Sequence, residues 1–171
     1  MIETQVVVCG LGGQGILFLS RLLGEAARIA GEEVISSETH GMSQRGGVVD
    51  SHVKIGAFRS SLVRRGHADA AFVLDPSRAA AATEFLREGG TCFADAAAAP
   101  GEGIRWIDAT AVARDAGNPR GANLVLLGFA STVAPGLFPE RQALLQAVEV
   151  LSAPAFIAGN RDAFFAGEEM A

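Results

Sequence analysis

The sequence predicts a doubly wound α/β fold: one mostly parallel sheet in a Rossmann-like three-layer arrangement, with one antiparallel or edge strand added. Three observations carry this reading. Short apolar runs alternate with segments of helical periodicity. A glycine turn, "GLGGQG" at residues 10–15, separates the first such run from the first helix. The 171 residues, 49% of them apolar, suit a single domain over 1–171 with a substantial core.

"QVVVCG" (5–10) is a continuous apolar run ending in glycine, the pattern of a buried parallel strand. Ile16, Leu19, Leu22, Leu23, Ala26, Ala27 and Ala30 then recur at helical spacing, and Gly31 closes the helix. "EVISSE" (33–38) is a second strand, so residues 1–38 form one right-handed βαβ unit. "VVDSHVKIG" (48–56) alternates Val49, Ser51, Val53 and Ile55 with more polar residues, which predicts a strand with one exposed face, antiparallel or at the sheet edge. "ADAAFVLD" (68–75) is a further buried strand. Asp75 caps and Pro76 opens a helix expected to run to about Glu88 and stop at Gly89-Gly90. "TCFAD" (91–95) and "RWIDA" (105–109) are strands. Helices are expected at about 109–117, 122–132 and 140–151, and over the C-terminal "NRDAFFAGEE".

Composition narrows the function. Apolar runs such as "NLVLLGFAS" are far shorter than the roughly 20 residues that span a bilayer, and the N-terminus carries no basic leader, so a cytoplasmic location is expected. Cys9 and Cys92 each lie alone in an apolar run, which offers no zinc, iron–sulfur or disulfide framework. A net charge of −5 argues against nucleic-acid binding. Residues 39–67 nevertheless hold Arg45, Lys54, Arg59, Arg64 and Arg65 against Asp50 alone, so either a solvated basic face or an anionic partner is expected there.

Two motifs could carry function. Gly10, Gly12 and Gly15, with Gly13 between them, fit G-x-G-x-x-G before a helix, where backbone N–H groups approach an anion closely. Glu38 lies near the position of a ribose-holding acid; the other reading is glycines that serve only tight turning and packing. "ETHGMSQRGG" (38–47) sets Glu38, His40, Gln44 and Arg45 among three glycines at the carboxyl end of a strand: an acceptor, an imidazole, an amide and a donor fork. An ordinary glycine-rich turn with an internal Glu38–Arg45 pair is the alternative. His52 and His67 read as structural, and no G-x-S-x-G nucleophile elbow occurs.

"VVVCGLGGQGILFLSRLLGEAA" followed by "VISSETHGMSQRGGVVDSHVKIG" resembles the gamma-domain family of 2-oxoacid:acceptor oxidoreductases, and within it the beta subunits of the indolepyruvate:ferredoxin branch. "DPSRA", "NLVLLG" and "NRDAFFAG" extend the resemblance over essentially the whole chain. The resemblance implies oxidative decarboxylation of a 2-oxoacid to an acyl-CoA, with thiamine diphosphate, magnesium and iron–sulfur clusters in a larger partner subunit, CoA as co-substrate and ferredoxin reached through that partner. It further implies that Gly10, Gly12, Gly13 and Gly15 brace the helix or receive an anion of the complex. Residues 38–47 would contact the thiamine-bearing subunit, with Glu38, His40 and Arg45 as accessory candidates. No metal site and no membrane contact are expected, and the isolated chain could form a homodimer through surface meant for its partner. The alternatives are a freestanding nucleotide-binding protein, an assembly module without a ligand site, and the gamma subunit of a pyruvate or 2-oxoglutarate enzyme.

Overall fold

The computed structural model describes residues 2–40 and 46–171. The elements run β1 (Thr4–Leu11), α1 (Ile16–Ile29), β2 (Val34–His40), β3 (Val48–Ile55), β4 (Ala68–Val73), α2 (Ala79–Thr83), β5 (Leu86–Asp95), β6 (Ile104–Ile107), α3 (Ala109–Asp115), α4 (Ala122–Val133), α5 (Arg141–Leu151) and α6 (Ile157–Glu168). One sheet holds the six strands in the order β2-β3-β1-β4-β5-β6. Strands β1, β4, β5 and β6 are mutually parallel, whereas β3 pairs antiparallel with both β1 and β2.

Strand β3 is therefore the antiparallel addition, but it sits inside the sheet, wedged between the two strands of the first βαβ unit. Its alternation is real and its exposed face is not. Val53 and Ile55 join the main core, while His52 and Lys54 on the other face are 4% and 7% exposed, because residues 57–66 lie across them.

Helices α1 and α3 to α6 cover one face over a core that includes Val6, Val8, Phe72, Phe93, Leu124, Leu144 and Phe164. Phe72, Phe93 and Phe138 stack at centroid distances of 5.5–6.1 Å, and each such pair adds about 0.5–1.5 kcal/mol beyond its buried area. The second face carries a smaller cluster of Val7, Cys9, Val63, Ala71, Val73 and Cys92 beneath the short α2.

The helix expected to reach Glu88 ends at Thr83. Phe85 and Leu86 pack onto the second cluster, and their backbone joins β4 instead: His67 N–H and Ala68 N–H both donate to the Phe85 carbonyl. Strand β5 thus begins at Leu86, and a register shift at Arg87–Gly90 accommodates the two glycines. The start of that segment follows expectation, since Asp75 accepts from Ser77 N–H at 3.0 Å with Pro76 in the first turn.

Candidate functional site

The carboxyl ends of β1, β4 and β5 open into a cleft of about 540 Å³. It lies at the point where the chain leaves β1 toward either side of the sheet, the place where doubly wound folds form crevices. Its floor is the glycine turn. Gly13 and Gly15 have φ of +97° and +81°, conformations that L side chains rarely adopt, and Gly15 starts α1 without a side-chain cap.

Gln14 folds back into this turn. Its Oε1 accepts from Leu11 N–H at 2.7 Å and its Nε2 donates to Asp75 Oδ2 at 3.3 Å, tying the end of β1 to the end of β4. A Cβ on Gly10 would stand 2.7 Å from the same Oε1 and 3.2 Å from Leu74 Cβ. The glycines thus let a side-chain plug and a neighbouring strand close in, which is the packing reading of the motif.

Buried Asn123, at the start of α4, reaches across and donates to the Gly15 carbonyl at 3.1 Å. Asp95, at the end of β5, accepts from Thr110 N–H and Thr110 Oγ1 at 3.0 and 2.6 Å. Asp75 is held below the usual carboxylate range by hydrogen bonds from Ser77. The cleft carboxylate Asp95 and the neighbouring Asp75 are therefore both committed to structure. Asn118, Arg120, Ser152 and Asn160 supply further polar lining, and Phe18, Leu124, Leu151 and Phe156 an apolar wall.

The two sequence motifs meet only at one margin. Gly12 N–H donates to the Gly47 carbonyl at 2.9 Å, so the glycine turn grips the end of segment 38–47. Glu38 lies on β2, opposite Ser51 of β3, and is not among the cleft residues. With β3 intervening, β2 stands two strand spacings, about 9–10 Å, from β1. Glu38 is thereby out of the place a ribose-binding acid takes beside the glycine loop. His40 ends β2, paired with Val49. Residues 41–45, and with them the Gln44 and Arg45 candidates, lie outside the described residues. Sequence reasoning missed Asn118, Arg120 and Asn123; their signal was "NPRGAN" (118–123), a turn rich in donors immediately before a helix.

Both thiols sit in the second cluster. Burial, with Asp50 beside it, pushes the Cys9 thiol far up, and burial pushes Cys92 to about 12, so both stay protonated. Among the described residues no group of three His, Cys, Asp or Glu could hold a metal ion, and no helix is long and apolar enough to cross a membrane.

Residues 5–170 match the family described as pyruvate ferredoxin/flavodoxin oxidoreductase. The chain is 32% identical to the indolepyruvate oxidoreductase subunit IorB of Thermococcus kodakarensis, an alignment that covers 100% of this chain and 97% of that protein. It is 46% identical to the protein of the same name from Archaeoglobus fulgidus over 83 residues, 48% of this chain and 41% of the relative. Among solved structures, the gamma subunit of a keto/oxoacid ferredoxin oxidoreductase from Geobacter sulfurreducens matches 97% of this chain and 96% of its own, with a TM-score of 0.79 and 28% identity. These relatives are oxidoreductase subunits, as the resemblance of the two N-terminal stretches implied. With nearly every residue matched, the chain belongs to the pyruvate ferredoxin/flavodoxin oxidoreductase family.

Proposed function

We propose that the chain is the non-thiamine-binding subunit of an arylpyruvate (indolepyruvate):ferredoxin oxidoreductase, in which a larger subunit carries thiamine diphosphate, magnesium and iron–sulfur clusters. The complex oxidatively decarboxylates the 2-oxoacid to an acyl-CoA and passes electrons to ferredoxin. The observation that carries this reading is the end-to-end match to an indolepyruvate oxidoreductase subunit. The chemistry of the chain agrees with an accessory role. Its described residues do not fit a diphosphate-bound magnesium or a cluster, because the cleft carboxylate Asp95 is spent on Thr110, neighbouring Asp75 is spent on Ser77 and Gln14, and the thiols are buried and protonated.

What this chain contributes is a rigid platform. The Gln14 plug and the Gly12–Gly47 hydrogen bond fix the exit of segment 38–47 at the carboxyl edge of the sheet. From there Arg45 would meet an anionic group of partner, substrate or CoA. The freestanding nucleotide-binding reading loses support, since Gln14 occupies the turn and β3 displaces Glu38.

The test is co-expression with the candidate thiamine-dependent subunit, followed by arylpyruvate- and CoA-dependent reduction of a viologen dye. Activity is expected only with both chains present. Full activity from the partner alone, without a complex on gel filtration, overturns the reading, and turnover of pyruvate or 2-oxoglutarate in preference would move the chain to those branches. Within an active complex, Arg45→Ala is expected to weaken assembly, substrate affinity or CoA affinity.

A further inference from the structure

We propose that residues 57–67, an extended strap laid over the second face of the sheet, dock an acidic surface of the larger subunit; the inference rests on the function proposed above. The strap, "AFRSSLVRRGH", carries Arg59, Arg64 and Arg65 and no acid. The rest of the chain holds 11 basic against 19 acidic side chains, so this segment is a positive stripe on a negative protein.

Four features mark the stripe as a prepared contact. Arg65 has an exposed partner, Glu84 at 3.1 Å, a pairing that costs little to exchange. Arg59 and Arg64 are exposed and make no ion pair with any described residue. Beneath them, buried Lys54 sets its ammonium 5.3 Å from the centre of the Phe58 ring, a further positive charge under the stripe. Between Arg59 and Arg64, Leu62 is 52% exposed. Arginine is enriched at interfaces over the rest of a protein surface, and the exposed leucine adds apolar area to the same patch.

The strap is also held in place. Buried Val63 donates its N–H to His52 Nδ1 at 3.3 Å, Gly66 N–H donates to the Glu84 carbonyl, and Gly56 N–H to the Glu33 carbonyl. Between these anchors, Arg59–Leu62 make no backbone hydrogen bond with described residues. Main-chain groups are left for a partner while the backbone is already ordered, which lowers the entropy lost on association. A second copy of this chain is a poorer occupant. Its acidic surface would have to meet the strap head to tail, an arrangement that grows open chains unless it happens to close.

The experiment measures the affinity of the purified chain for the larger subunit by titration calorimetry at low and at moderate salt. Arg59→Glu with Arg64→Glu is expected to weaken binding at least tenfold at low salt and to flatten its salt dependence. Leu62→Asp should weaken it at both salts. Arg21→Glu with Arg114→Glu, the same charge change at other exposed sites, is the control and should change binding less than threefold. Circular dichroism and thermal melting confirm that each variant is folded. If the strap variants bind as wild type, or the control weakens binding equally, the docking surface is wrong while the proposed function stands. If the wild-type chain forms no complex, the proposed function falls and the docking inference with it.

Discussion

Gln14 shows how one side chain decides what a glycine motif does. Its amide makes two hydrogen bonds that would otherwise fall to water or a ligand, so Gln14→Ala should cost about 1–2 kcal/mol, read as a lower urea midpoint with unchanged slope. His52 makes a second prediction. Its Nδ1 accepts from Val63, so the fold takes the neutral ring. Burial, with the nearby Lys54 ammonium adding to it and Asp50 opposing, holds its pKa below the ordinary imidazole value; the Phe85 ring closes over its edge and Arg64 is the next cation on the strap. The unfolded chain binds a proton near pH 6.5 while the folded chain still refuses it. Stability is therefore full above that pH and falls as pH drops through the window below it. The measurement is the urea midpoint between pH 7 and 5: wild type should fall more steeply than His52→Asn, and equal slopes would show that His52 does not carry the effect.

At the scale of elements, the pairing of α4 with α6 depends on two glycines. A Cβ on Gly128 would collide with the Phe164 carbonyl, and one on Gly167 with the Val125 carbonyl. The helices are in backbone contact there, and eight consecutive residues of α4, Asn123–Ala130, are buried. Gly128→Ala or Gly167→Ala should force them apart, at about 1–3 kcal/mol each by overpacking. In a chain of this size that lowers the melting temperature by several degrees, against the small stabilisation that Gly→Ala gives in an open helix. The short α2 teaches the opposite lesson. An alanine-rich stretch favours helix locally, yet Phe85 and Leu86 gain more from the second cluster and from pairing with β4.

For the whole molecule, the insertion of β3 has a functional consequence. It moves β2 away from the glycine turn, and with Gln14 filling that turn the cleft lacks the geometry of a dinucleotide site. The purified chain should show no saturable binding of NAD or NADP at micromolar concentration by calorimetry; tight binding would restore the nucleotide reading. The cleft itself is assembled from parts more than 100 residues apart in the chain, as the hydrogen bond from Asn123 to Gly15 shows. Its described lining offers donors and one exposed arginine, Arg120, and its carboxylate, Asp95, is engaged by Thr110.

Most of this architecture was legible in the chain itself. The βαβ opening, the Asp75 cap and Gly31 after α1 rest on periodicity, capping and backbone sterics, interactions that span a few residues and leave their trace in local pattern. The family was legible separately, through the likeness of whole stretches such as residues 6–27 and 34–56 to known relatives. Strand order, the end of α2, the burial of His52 and Lys54 under the strap, and the meeting of Asn118, Arg120 and Phe156 around the glycine turn were decided only by tertiary structure. The reason is range. Those features depend on which distant segments pair and pack, and an alternating strand such as β3 reads the same whether water or a strap covers its polar face.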